Sequence, residues 1–186
     1  MAAELAQLKI AILVDNGFEQ DELTQPRKAL EGAGARVTLV SPAKGKVKGW
    51  KSRSWGDEFD VEQALAQAKV TDYDALYIPG GVMSPDSLRM NEAAVAFTRA
   101  FFDAKKPVAS VCHGPWMLIE AGAVRGRKLT SFPSLKSDLK NAGANWVDEE
   151  VVYDNGLVTS RGPSDLPAFS KKIIEVFGKA RGQKAA

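Results

Sequence analysis

The chain has 186 residues, 45% hydrophobic and 26% charged, with 25 Lys and Arg against 23 Asp and Glu for a net charge of +2. Near balance of charge excludes the strongly basic face that nucleic-acid binding requires. The length is enough to bury one core without disulfide or metal staples. A single cysteine excludes an internal disulfide, and nothing points to an oxidising compartment. Residues Met1 to Gln7, with Glu4 and no long apolar run, do not read as a signal peptide. No stretch approaches the ~20 apolar residues of a membrane-spanning helix. These features predict one cytoplasmic domain over 1–186, with its core at about 9–178.

In chain order, Lys9 to Val14 is a nearly continuous apolar run, as in a strand buried on both faces of a parallel sheet. Asp15, Asn16 and Gly17 break it. A helix is predicted from about Asp21 to Ala33, with Pro26 tolerable only in its first turns, and Gly34 as its stop. Arg36 to Val40 is the second strand. Lys44, Lys46, Lys48, Lys51 and Arg53, interleaved with Gly45, Gly49, Trp50 and Trp55, predict a solvated excursion loop or hairpin. Val61 to Lys69 reads as helix and Ala75 to Ile78 as strand, running into Pro79-Gly80-Gly81. Glu92 to Ala104 is helical, and Val108 to Val111 is another buried strand. A helix follows from about Pro115 to Ala121. Leu129 to Phe132 reads as strand and Ser134 to Ala142 as helix. Val151-Val152-Tyr153, Asn155-Gly156 and Leu157-Val158-Thr159 form a hairpin signal. A last helix spans about Asp165 to Gly178, with Phe169, Ile173, Val176 and Phe177 as its apolar stripe; the tail from Lys179 is expected to fray.

Strands alternating with helices predict an α/β fold with a mostly parallel sheet covered on both faces. Ligands bind such sheets at the carboxyl ends of strands. Three strand ends therefore matter: the loop from Asn16 to Glu22, the turn at Gly80-Gly81 and the turn at Cys112.

Ser110-Val111-Cys112-His113-Gly114 is the strongest local signal. A nucleophile on a sharp strand-to-helix turn needs small residues two positions to either side. Helix N–H groups behind such a turn lower a thiol's pKa and can hold an oxyanion. A lone cysteine is more often a small buried hydrophobe, but the turn argues for a reactive one. His113 is the only histidine, which excludes any triad that needs an imidazole elsewhere in the chain. An assisting imidazole must be the adjacent one, held by a carboxylate. One Cys and one His cannot make an ordinary zinc site, so neither metal nor cofactor is expected. Glu19 and Glu22 can approach Cys112 from the first strand's loop; a useful glutamate beside the sulfur must keep its proton. Gly81 can supply an oxyanion N–H, and Asp86 can be an ordinary turn carboxylate or the group that orients His113.

ALYIPGG, DSLRMNE, KPVASVCHGPWMLIEAG, RGRKLTSFP and NAGANWVDEEVV, in that order, resemble the PfpI family of the ThiJ/PfpI, class I glutamine-amidotransferase-like superfamily. The resemblance covers roughly Lys9 to Phe177. It implies a flavodoxin-like three-layer α/β sandwich with a nucleophile elbow, assembled as a homodimer or higher homo-oligomer. It implies Cys112 as nucleophile, Glu22 as the glutamate bonded to its sulfur and His113 as the adjacent histidine. In peptidase-like members a glutamate after PGG, from a neighbouring subunit, completes the site; here that position is Asp86, on a loop one residue longer. The leading expectation is a stress-response cysteine-dependent hydrolase acting on dicarbonyls or their early protein or nucleotide adducts, as glyoxalase III or deglycase. In it Cys112 attacks the aldehyde carbon, Gly80, Gly81 and His113 contact substrate or oxyanion, and Glu22 and His113 move protons. The alternatives are a peptidase completed by Asp86 across a subunit interface, and a non-catalytic oxidative-stress sensor or chaperone.

Overall fold

A computed structural model describes residues 4–184, with side chains as far as Lys179. Its main sheet has seven strands in the order β10-β11-β7-β6-β1-β2-β5: β1 (Lys9–Leu13), β2 (Arg36–Ser41), β5 (Gln63–Ala64), β6 (Ala75–Ile78), β7 (Val108–Val111), β10 (Val151–Asp154) and β11 (Leu157–Ser160). All neighbours are parallel except the hairpin partners β10 and β11. The remaining strands are β3 (Lys46–Lys51) with β4 (Ser54–Asp60), and β8 (Lys128–Leu129) with β9 (Asn145–Trp146).

Successive side chains of a strand point to opposite faces, and here both faces are dry. Ile10, Ile12, Tyr77, Ala109 and Val111 pack with Leu23 and Leu30 of α1 (Gln20–Gly32) and Phe169, Ile173 and Phe177 of α6 (Leu166–Lys184). Ala11, Leu13, Leu76, Ile78 and Val108 pack on the other side. They meet α2 (Met83–Arg89), α3 (Glu92–Asp103), α4 (Pro115–Glu120) and α5 (Lys136–Asn141) through Leu88, Phe97, Phe101, Met117, Leu118 and Leu139. Each large apolar side chain buried this way stabilises the fold by roughly 1.5–3 kcal/mol. The result is an α/β sandwich of helix, sheet and helix layers.

The elements differ from the sequence reading in places with local causes. Residues 61–69 are not helical: β5 pairs with β2, and two 3-10 turns, Leu65–Gln67 and Val70–Asp72, follow. Leu65 is the only fully apolar side chain there to be buried, so a helix would have no face to hide, whereas the edge strand gains ladder bonds. The stretch 129–132 is strand only at Lys128–Leu129, because Thr130 to Phe132 turns away toward the elbow; Phe132 N–H donates to the Cys112 carbonyl at 2.9 Å. The short helix α2 gave no clear sequence pattern. α6 continues through Lys179 to Lys184 instead of fraying; Ala185 and Ala186 lie outside the described residues.

Pro26 sits in the middle of α1, not in its first turn. A proline has no N–H for the carbonyl four residues back, which here belongs to Glu22. Tyr77 supplies the missing donor: its buried hydroxyl donates to the Glu22 carbonyl.

Candidate active site

The carboxyl ends of β1, β6 and β7 are adjacent, so the three loops singled out by sequence converge. Cys112 follows β7 with φ 60°, a left-handed conformation that costs a non-glycine residue roughly 1–2 kcal/mol and turns the side chain out of the strand. The small flanking residues have a visible purpose: a Cβ on Gly114 would collide with Ser110 Oγ, which itself donates to the Ile78 carbonyl at 3.2 Å.

Glu22 lies in the first turn of α1 and is wholly buried. Its Oε2 accepts from Gly80 N–H at 2.7 Å. Its carboxyl also interacts with the Cys112 thiol, while the buried Oε1 has no hydrogen bond of standard geometry. Gly80 must be glycine, because a Cβ there would lie 2.6 Å from both Cys112 Cβ and Glu22 Oε2. A Cβ on Gly81, which sits at φ +80°, would collide with Gly17 O and Glu19 N, and Glu19 N–H donates to the Gly80 carbonyl at 3.1 Å. The loop after β1 and the turn after β6 are thereby fastened together beside Cys112.

The basic excursion is a hairpin, and it is more than a solvated ribbon. Trp50 N–H donates to the Phe18 carbonyl at 2.7 Å and Gly17 N–H to the Lys48 carbonyl at 2.8 Å. Gln20 bonds both the carboxylate and the N–H of Asp57, each at 2.7 Å. β3 and β4 therefore brace the loop that delivers Glu22.

His113 Nδ1 is 3.2 Å from Cys112 Sγ, and its Nε2 is 3.2 Å from Ser134 Oγ. The ring stacks on Phe132, with centroids 4.9 Å apart and planes 25° apart, and meets Trp116 edge-on. The expected carboxylate partner is absent from the far side of the imidazole; a serine hydroxyl takes that place. Asp86 lies exposed on α2, where its side chain makes no hydrogen bond or ion pair among the described residues. Within one chain it does not orient His113.

Burial dominates the electrostatics. It lifts the Glu22 carboxyl from 4.5 to about 8, against the pull of the Gly80 N–H. Glu22 is therefore protonated at neutral pH. Burial also pushes the Cys112 thiol well up from its ordinary range, and a charged Glu22 pushes it further, while N–H groups of Gly81 and His113 draw it back. This corrects the expectation of a thiolate made simply by the following helix. Cys112 is only 7% exposed, and α4 behind it is six residues long, so desolvation outweighs the turn's dipoles. His113 is pushed down by burial and is a neutral base at neutral pH. All three of the expected oxyanion donors are also already engaged: Gly80 N–H serves Glu22, and the N–H groups of Gly81 and His113 serve the sulfur.

This elbow, with its buried glutamate and adjacent histidine, occurs in a chain whose residues 8–176 match the model of the DJ-1/PfpI family. The chain belongs to the DJ-1/PfpI family. Among relatives of this family, it is 44% identical over 173 residues to general stress protein 18 of Bacillus subtilis, covering 92% of this chain and 98% of that one. It is 42% identical over 172 residues to protein/nucleic acid deglycase 2 of Escherichia coli, covering 91% and 98%. A DJ-1/ThiJ/PfpI-like and ferritin-like two-domain protein from Anabaena variabilis superposes with a TM-score of 0.87 at 36% identity. The match covers 92% of this chain but 48% of that larger protein. The DJ-1/PfpI fold is thus the flavodoxin-like sandwich expected from the motifs.

Sequence reasoning missed three contributors to the site. Ser134 follows the FP of the SFP motif but carried no signal of its own. Phe132 was read as strand. Tyr77 read as one more apolar strand residue.

Proposed function

We propose that this protein is a cysteine-dependent, stress-related enzyme that removes early dicarbonyl adducts from amino groups of proteins or nucleotides, with Cys112 as nucleophile. The observation that carries this reading is the trio at the elbow: a thiol 3.2 Å from an imidazole nitrogen and beside a buried carboxyl, where burial favours the neutral form of both the imidazole and the carboxyl. The deglycase name of the Escherichia coli relative and the stress-protein name of the Bacillus subtilis relative support the substrate class.

For an adduct R–NH–CH(OH)–CO–CH3, Sγ bonds to the carbinol carbon as the C–N bond breaks. The thiol proton passes to His113 Nδ1 and on to the departing amine, which leaves as R–NH2. With Nδ1 acting as acceptor, Nε2 carries the hydrogen and donates to Ser134 Oγ, which fixes the tautomer. The Glu22 hydroxyl and the N–H groups of Gly81 and His113 stabilise charge developing at the sulfur and the oxygen beside it. In the resulting hemithioacetal a proton moves from the former aldehyde carbon to the neighbouring carbonyl carbon. That carbon is reduced and the first oxidised, giving a lactoyl thioester. Water cleaves the thioester to lactate and regenerates the thiol. The sum consumes one water and leaves the amine free, with no external oxidant or reductant.

The peptidase reading needs Asp86 from a neighbouring copy in a homo-oligomer, and the redox-sensor reading needs no turnover. Within one chain Asp86 makes no contact with His113, so the first lacks its carboxylate there. Purified protein incubated with a methylglyoxal-modified amino acid decides the matter: wild type is expected to release free amine and lactate, and Cys112→Ala to release neither. Equal release by both would end the proposal.

A further inference from the structure

A cavity of about 440 Å³ opens at the opposite edge of the sheet from Cys112, beside the start of β7 and the turn between β10 and β11. The five residues from Pro107 to Val111 separate the two sites, roughly 15 Å at strand rise. The volume is within the ~300–1,000 Å³ range of small-molecule sites. Lys105, Lys106, Arg127 and Lys179 line it, with the Tyr153 ring, and no carboxylate is among the lining residues.

Arg127 is positioned by neutral groups. Arg127 Nη1 donates to the carbonyls of Asp154 and Asn155, and its guanidinium lies over the Phe102 ring, 5.4 Å from the centroid. Lys106 Nζ donates to the carbonyls of Val70 and Tyr73. Lys179 is paired with Glu175 at 2.6 Å, one turn away on α6. Tyr153 is 52% exposed, with its ring on the rim.

Lys105 supplies an independent observation. Its N–H donates to the Phe102 carbonyl and the Lys106 N–H to the Phe101 carbonyl, at 2.9 and 2.8 Å. That is the Schellman ending of α3, whose left-handed position is ordinarily glycine. Here a lysine occupies it at φ 53°. The chain keeps a strained cation at the mouth of a cationic cavity where glycine would fit better.

We propose that this cavity is a second ligand site that binds a nucleoside phosphate, with Lys105 and Arg127 on the phosphates and Tyr153 against the ring. Arginine and lysine match phosphate oxygens by charge-assisted hydrogen bonds, and an exposed aromatic ring stacks any base.

The test titrates wild-type protein with ADP, inorganic pyrophosphate and adenosine at low ionic strength, followed by calorimetry and thermal melting. The expected result is saturable ADP binding, weaker pyrophosphate binding and none with adenosine. Lys105→Gly is expected to weaken ADP at least tenfold yet melt about 2–4 °C higher, since it relieves the strain, with alkylation of Cys112 unchanged. Arg127→Gln is expected to weaken ADP as well. Absence of saturable binding by ADP and pyrophosphate to the wild type overturns the proposal, as does unchanged ADP affinity in Lys105→Gly. Pyrophosphate binding as tightly as ADP overturns the nucleoside part.

Discussion

Tyr77 donates its hydroxyl to the backbone carbonyl of Glu22, and this bond exists because Pro26 leaves that carbonyl without its helical partner. One side chain in the β6 strand thus holds the first turn of α1, and the glutamate it carries, against the elbow. A helix-breaking residue in the interior of α1 is tolerated through a tertiary bond at the residue that matters most to the thiol.

Tyr77→Phe strands a buried acceptor, which costs roughly 1–3 kcal/mol. Pro26→Ala restores an N–H that can reach the same carbonyl, so the double variant should recover part of that loss. Urea unfolding of the two single variants and the double variant measures the coupling. Strictly additive free energies would show that the two residues do not share the Glu22 carbonyl.

Glu22 binds its proton more tightly in the folded protein, about 8 against 4.5. Its contribution is therefore full below about pH 4.5 and is lost as pH rises to about 8. At ~1.4 kcal/mol per pKa unit, the loss amounts to several kcal/mol. Glu22→Gln keeps the shape and cannot ionise. It is expected to melt above the wild type at pH 9 and to lose that advantage at pH 5. An offset between the two melting curves that does not change with pH would refute the burial argument.

Ser134→Ala removes the partner of His113 Nε2 without touching the thiol. Turnover of a dicarbonyl adduct should fall about 3- to 30-fold, less than the ~10²–10⁴-fold expected for outright loss of a general base, with kcat falling more than KM rises. Ser134→Thr should restore most of it. If the alanine variant is as active as wild type, the imidazole needs no orientation from this hydroxyl.

Gly80→Ala places a methyl 2.6 Å from Cys112 Cβ and Glu22 Oε2. Overpacking of this kind typically costs about 1–3 kcal/mol, and here it also parts the glutamate from the sulfur. The variant is expected to remain folded by circular dichroism and to lose more than tenfold in alkylation of Cys112 by iodoacetamide. Wild-type alkylation would contradict the close approach of the two loops.

Much of this was legible beforehand, for identifiable reasons. Strands such as Lys9–Leu13 and Val108–Val111 are short apolar runs between turn residues, and a parallel sheet must gather their carboxyl ends on one edge. The Ser110-x-Cys112-x-Gly114 spacing announced the elbow. Residues 61–69 misled because alanines and glutamines favour a helix locally while the edge of β2 offers backbone partners no local pattern records. Ser134 and Tyr77 were invisible as site residues, since each acts through a long-range hydrogen bond. The charge state of Cys112 was misjudged because turn geometry can be inferred from spacing, whereas burial of 93% of the residue cannot.

The account turns on a protonated Glu22 and a neutral His113 flanking one thiol. The most direct test is the pH dependence of kcat/KM for adduct removal by the wild type, set beside Glu22→Gln. A neutral imidazole is required, so the rate should fall on the acid side, below the ordinary imidazole range. A protonated carboxyl is required, so it should fall again above about pH 8, and Glu22→Gln should lack this alkaline limb. A wild-type rate that climbs steadily through pH 8 and 9, as for an ordinary thiol ionising in water, would contradict it.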